Sequence, residues 1–417
     1  MLDINKIRAE KEAIEKALLK RVDKKDLNLD QVIKLDDQRK ELIQKADELK
    51  AERNKYSKTK PTPEVIKKMK GVGEQIKGLD DKLKEVEDKL REKLSELPNI
   101  PADDVVAGGK ENNKVIKTFN KQPKFSFQPK DHVELAASLG IIDYERAAKM
   151  SGTGFWCYVG QGALLEWALL NYFIDFHKKN GYTFIWPPYL LNEASAYASG
   201  HLPKFRDDLF WTKDGSCLNA TAEMMLTNYH RDEILDQKDL PFKYYGYSAC
   251  FRREAGSYRK EERGMVRGHQ FNKIEMFHYA TPEQSWASFN ELVRNAEKLV
   301  EGLGLHYQSV QLAAGDASAA MSKTIDVEVW IPSMGLYKEV SSISNALDYQ
   351  ARRANIRFKN SKSGKNEFVH TLNASGLATT RLFSAILEQF QQKDGSVEIP
   401  KVLQKYCGFK KIDKKKG

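Results

Sequence analysis

The chain has 417 residues and a formal net charge of +10 at neutral pH, with 68 Lys and Arg set against 58 Asp and Glu, and 41% of its residues are hydrophobic. That length predicts two or three units, at least one with a full core, and the basic excess favours a polyanionic partner without identifying it. Cys157, Cys217, Cys250 and Cys407 form no Cys-x-x-Cys pair, the amino terminus is charged from the start, and the most apolar stretch, 162–176, is interrupted by Glu166 and Asp175. A zinc knuckle, a disulfide framework, secretion and a membrane span are therefore not expected, and a cytoplasmic protein is.

Residues 1–106 are expected to form an N-terminal helical arm. Leu35, Leu42, Leu49 and Tyr56 recur every seven residues, with Val32 and Ala46 at alternate seam positions. Met69, Val72, Ile76, Leu79, Leu83, Val86 and Leu90 then repeat the three-four alternation of a coiled-coil seam. Between the two stripes, residues 57–63 read Ser-Lys-Thr-Lys-Pro-Thr-Pro, which ends one helix and can start the next. The expectation is an antiparallel hairpin of two helices, each about 45 Å long if it spans roughly 30 residues. Lysines crowd its flanks, but Glu and Asp are interleaved, so charge alone leaves open whether the arm binds nucleic acid or only another helix. Gly71, Gly73 and Gly78 lie within the heptad stripe and follow no strand, which argues against a phosphate loop.

The remainder, 107–417, alternates helical segments (163–179, 282–303) with strand-like ones (242–253, 270–279, 324–331). This predicts an α+β body built on an antiparallel β-sheet flanked by helices, preceded by the all-α antiparallel coiled-coil arm. Phe251-Arg252-Arg253-Glu254 and the run from Arg263 to Glu275, which contains Arg267-Gly268-His269-Gln270-Phe271-Asn272-Lys273-Ile274-Glu275, bracket a polar loop. A nucleotide lying over such a hairpin would meet guanidinium forks for its phosphates, a phenyl ring for its base and a carboxylate for polar recognition. The basic residues at 410–416 read as a disordered tail.

In that ordered form the hairpin resembles motif 2 of the class II aminoacyl-tRNA synthetases, as found in the seryl-tRNA synthetases. The resemblance extends over nearly the whole chain. Gly181-Tyr182-Thr183 through Trp186-Pro187-Pro188 is similar to motif 1, and Thr221-Ala222-Glu223 to the family's serine-site signature. Lys338-Glu339-Val340-Ser341-Ser342-Ile343-Ser344-Asn345, with Tyr349-Gln350-Ala351-Arg352-Arg353, matches a further family run, and 370–378 with Arg381 resembles motif 3.

The resemblance implies a serine–tRNA ligase that activates serine with ATP and passes it to the 3′ end of tRNA-Ser, with tRNA-Sec left open. It further implies a homodimer, a catalytic domain at 107–417 and an arm that holds the tRNA. Arg252 would contact the α-phosphate and the serine carboxylate, Arg267 the γ-phosphate, and Arg381 the other face of the ATP. Glu254 would read the adenine and Phe271 stack on it, with Arg253, Val340 and Ser341 completing the ATP set. Glu339 and Ser342 would bind Mg²⁺. Thr221 and Glu223 would take the serine amino group, with Ala222 in the same serine-binding set, while Glu275, Asn373 and Ser375 would recognise its hydroxylated side chain. The histidines have no metal-ligand spacing, so the zinc-dependent variety is not expected. The rival implication is a related amino-acid ligase that loads a carrier protein, but such relatives lack the arm. Departures from the family pattern fall at Gly154 and Trp156, at Asn219-Ala220 and at Thr379-Thr380.

Overall fold

The computed structural model describes residues 1–56, 62–254 and 264–413. Most of the turn between the arm helices (57–61), the motif 2 loop with Arg263 (255–263) and the end of the basic tail (414–417) lie outside the described residues. The chain divides into two compact units, Met1–Ile100 and Pro101–Gly417.

In the first unit, two short helices, α1 (Ile4–Ala9) and α2 (Lys11–Leu18), precede the long α3 (Leu29–Tyr56) and α4 (Pro63–Glu96). The sequence reading resolved only the long pair. Helix α4 starts at Thr62 because its hydroxyl accepts the Val65 N–H at 3.3 Å and Pro63 takes a first-turn position, where no N–H is needed. The expected seam is the buried one: Val32, Ala46, Val72, Ile76 and Leu90 are covered where α3 packs on α4. Ile7, Ile14 and Leu18 are covered as well, so the short helices add their own apolar faces.

The second unit is organised by an eight-stranded sheet: β1 (Lys114–Phe119), β2 (Thr183–Ile185), β3 (Phe242–Phe251), β4 (Gln270–Ala280), β5 (Tyr307–Gln311), β6 (Lys323–Ile331), β7 (Leu336–Leu347) and β8 (His370–Ala378). Their order is β1-β5-β6-β7-β8-β4-β3-β2. Every pairing is antiparallel except β2 with β3, which is parallel and departs from the antiparallel sheet expected. A parallel pair needs a long crossover, and residues 186–241 supply it. Residues 101–106, grouped with the arm on sequence grounds, lie in this unit. There the Ala102 N–H donates to the Ser322 carbonyl and the Ala314 N–H to that of Val106.

Five helices matter for the site: α5 (Gln161–Lys179), α6 (Ala222–Asn228), α7 (Ser285–Leu303), α8 (Tyr349–Ala354) and α9 (Thr379–Gln389). The two-residue period of β4 sorts its side chains. Ile274 and Met276 join the core with Leu169, Phe173, Phe289, Leu292 and Phe383 from α5, α7 and α9. Phe277 and Tyr279 join a second core with Met224, Leu226 and Ala351 from α6 and α8. Phe271, Lys273 and Glu275 share the parity of that second set, so the strand delivers them to the face opposite the large helical layer.

Candidate active site

Arg252 follows β3, Arg267 precedes β4, and Arg381 lies in the first turn of α9. These three distant arginines line one cavity of about 80 Å³ together with Glu254, Phe271, Lys273, Glu339 and Ser375. Each is held. The Arg381 guanidinium donates to the Glu339 carbonyl at 2.8 Å and to the Val266 carbonyl at 3.1 Å. Arg252 Nε donates to the Ala220 carbonyl at 3.3 Å, and its guanidinium lies 5.1 Å from the centre of the Phe271 ring. Arg267 is ion-paired with Glu254, whose backbone takes a left-handed φ of 51°, a conformation costing about 1–3 kcal/mol that persists only where surrounding contacts hold it.

A second cavity, of about 150 Å³, shares Arg252, Lys273, Glu339 and Ser375 with the first. Its walls also carry Thr221, Glu223, Glu275, Asn373 and Ser342, with His201 and Phe205 from the segment before α6. Glu275 is buried on β4, directly opposite Ser375 of β8, and accepts from Asn373 Nδ2 at 3.0 Å. Lys273, two residues earlier on the same face, is ion-paired with Glu275 and donates to Thr221 Oγ1 at 2.7 Å. Thr221 caps α6 by accepting the Glu223 N–H at 3.2 Å, so with Lys273 it accepts two hydrogen bonds. Burial and the charge of Glu275 push Glu223 up to about 7, against the opposing pull of Lys273, while Gln350 donates to it at 2.7 Å. Burial, helped by Arg252 and Lys273, holds the His201 ring neutral with a pKa lowered to about 3.

Not every residue singled out from sequence faces these cavities. The Val340 side chain belongs to the main core, and Ser341 Oγ donates to the Ser375 carbonyl at 2.6 Å. Ala222 is packed beneath the site, and Arg253 is exposed, its N–H donating to the Asp208 carbonyl. Conversely, the sequence reading missed Lys273, His201, Gln350 and Asp326. Lys273 had a usable signal, since it stands two residues before Glu275 and two after Phe271 in an alternating strand. Asp326 had none: β6 brings it opposite Ser342 of β7.

Asp326 bears on the metal question. Its carboxyl is buried with one oxygen unpartnered among the described residues, and burial with the nearby Glu339 carboxylate pushes it well above the usual carboxylate range. Two carboxylates and the Ser342 hydroxyl form an all-oxygen donor set, which fits a hard divalent cation sharing its shell with phosphates. Among the described residues no group of three or more His, Cys, Asp or Glu is placed to hold a metal ion unaided.

The departures from the family pattern have structural partners. Trp156 lies against Gly268, where a Cβ would come within 2.1 Å of the indole. At Gly154, with φ +83°, a Cβ would meet the His269 ring at 2.6 Å, so a side chain has no room there beside the histidine. Asn219 Nδ2 donates to the Ala249 carbonyl at 3.0 Å, and Thr379 Oγ1 to Glu166 at 2.5 Å.

Comparisons with known proteins agree with this geometry. Residues 1–101 match the family model of the seryl-tRNA synthetase N-terminal domain, and residues 207–390 that of the tRNA synthetase class II core domain (G, H, P, S and T). The chain is 52% identical to serine--tRNA ligase 2 of Clostridium acetobutylicum, covering 99% of this chain and 100% of that protein. It is 46% identical to the serine--tRNA ligase of Bacillus subtilis, again over 99% and 100%. The crystal structure of seryl-tRNA synthetase from Pyrococcus horikoshii complexed with ATP superposes with a TM-score of 0.92 at 36% identity, covering 100% of each chain. With an arm, a class II core and a cavity lined by arginines that opens onto one lined by carboxylates, the chain belongs to the seryl-tRNA synthetase family.

Proposed function

We infer that the chain activates serine with ATP and transfers it to tRNA. The observation that carries this reading is the convergence of Arg252, Arg267 and Arg381 on one cavity that shares four residues with a chamber holding Glu223 and Glu275. Serine carries an ionised carboxylate at neutral pH, so its oxygen attacks the α-phosphorus without a general base, and pyrophosphate leaves. Catalysis then rests on position and on charge stabilisation. Arg252, at the junction of the two cavities, binds the serine carboxylate and the α-phosphate and holds attacking oxygen and phosphorus together. Arg267 and Arg381 bind the remaining phosphates, where negative charge builds up. Phe271 and Glu254 take the adenine. Glu339 and Ser342, with Asp326 beside them, would hold Mg²⁺, which when bound neutralises phosphate charge.

In the chamber, Glu223 receives the serine ammonium, and Glu275, aligned by Asn373 and faced by Ser375, accepts from the hydroxyl. A buried site built around that hydrogen bond disfavours analogues without the hydroxyl by about 10⁴–10⁵.

The helical arm binds tRNA-Ser, chiefly through phosphates. Homodimerisation is supported by the motif 1 region, where Leu164, Trp167, Phe184 and Trp186 are exposed and both tryptophans contact Tyr247. Large apolar side chains grouped in this way mark an interface. No described helix is long and apolar enough to cross a membrane, and the reaction belongs in the cytoplasm, where tRNA is charged. The carrier-protein alternative leaves the arm without a purpose.

Serine-dependent exchange of pyrophosphate into ATP tests the reading. Wild-type protein should support it, and Arg252→Ala should lower kcat/KM by about 10²–10³ or more. Absence of exchange with serine in the wild-type protein would overturn the assignment.

A further inference from the structure

We propose that Lys273 is a selectivity residue of the serine chamber: it is the internal cation that pairs with Glu275 and aims it as the acceptor for the substrate hydroxyl. The proposal rests on the serine-binding reading above and adds to it a residue that touches Glu275.

The geometry is specific. The Lys273 and Glu275 side chains are 7% and 1% exposed, and they stand two residues apart on the same face of β4. Glu275 is gripped from two sides, by Lys273 on one oxygen and by Asn373 Nδ2 at 3.0 Å on the other. Lys273 is gripped in turn, its ammonium donating to Thr221 Oγ1 at 2.7 Å. Three carboxylates, Glu223, Glu275 and Glu339, line this small space with two cations, Arg252 and Lys273. The substrate ammonium goes to Glu223 and its carboxylate to Arg252, which leaves Lys273 to Glu275.

Remove Lys273 and one of the two contacts that fix the Glu275 carboxylate is lost: the Asn373 amide alone holds it, and the oxygen that Lys273 engaged is left without that donor. The carboxylate can then turn away from the position in which it meets the substrate hydroxyl, and the preference for serine over alanine weakens. Lys273 therefore acts on the substrate hydroxyl through Glu275. Alanine, which has no hydroxyl, does not draw on that arrangement.

The test is pyrophosphate exchange with serine and with alanine in wild type, Lys273→Met, Glu275→Gln and the double variant. Exchange by the wild type with serine checks the underlying reading separately, so its absence would indict that reading and not the lysine. With it present, Lys273→Met should lower serine kcat/KM by about a hundredfold while alanine kcat/KM falls far less, so the serine-to-alanine preference drops by about tenfold or more. Equal losses for both amino acids, or none for either, would overturn the proposal. If Lys273→Met does not fold, the double variant, in which both charges of the pair are removed, carries the test. A lysine that acts through Glu275 gives Lys273→Met/Glu275→Gln the same preference as Glu275→Gln alone, whereas a further drop of about tenfold would mean an independent role and refute it.

Discussion

Each unit of the molecule buries a carboxylate, and the two are treated in opposite ways. In the arm the Asp36 side chain is fully covered, yet Arg8, Arg39 and Lys40 all reach it, at 3.2, 2.8 and 2.9 Å. Burial pushes its pKa up, but hydrogen bonds from Lys40 and Arg39 outweigh that and hold it below the ordinary range. In the body Glu166 is likewise buried, and its hydrogen-bond donors are the neutral Thr379 and Asn272, at 2.5 and 2.8 Å. Its second oxygen has no hydrogen-bond partner among the described residues, and burial pushes its pKa up to about 7. Two of the cations around Asp36 come from the next turn of the same helix. Glu166 instead joins α5 to β4 and α9, which carry residues of motifs 2 and 3. The arm neutralises Asp36 largely from its own helix, while in the body Glu166 meets no cation among the described residues.

Separating the units puts the largest strain on this comparison. With residues 30–95 deleted, the body keeps its own core, and serine-dependent exchange should stay within about threefold, while tRNA charging falls by about a hundredfold or more as phosphate contacts are lost. Charging that survives the deletion would remove the arm from tRNA binding.

Next in size is the pH response of Glu166. Its folded pKa, about 7, lies above the ordinary 4.5, so the folded chain holds this proton more firmly, and stability falls as pH rises between those values. Glu166→Gln abolishes that fall and should gain about 2–4 kcal/mol on the wild type between about pH 5 and pH 8, read from denaturant unfolding at each pH. Parallel pH dependence in the two proteins would exclude Glu166 as the titrating group.

The smallest effect is expected in the arm. Asp36→Ala should destabilise it by about 1–2 kcal/mol near pH 7. The sign with pH is the reverse of that for Glu166: the Asp36 contribution is complete above its ordinary 3.8 and is lost as pH falls through the lowered folded value. Helical circular dichroism melts of the two proteins should therefore differ at pH 7 and converge in strong acid. A difference that persists there would point to packing and not to charge.

Much of this was legible in the chain itself. The long arm helices follow from seam residues such as Val72, Ile76 and Leu90, whose spacing needs no knowledge of the rest of the protein. Strands β3, β4 and β6 were located from alternation, and most of the motif residues proposed from resemblance do line the two cavities. The short helices α1 and α2 went unresolved because each contributes too few apolar positions to establish a period. The parallel placement of β2 depended on a crossover whose return path no local pattern records.

Sequence alone thus determined the arm, the class of the body and the ordered motifs, because helical and strand periods and short ligand patterns are local properties. Only tertiary structure decided that Val340 and Ser341 turn into the core, that Asp326 stands beside Ser342, that Lys273 faces Glu275 within the second cavity, and that Glu166 meets no cation among the described residues. Desolvation and ion pairing depend on which distant segments close over a group. That closure exists only once the sheet has assembled.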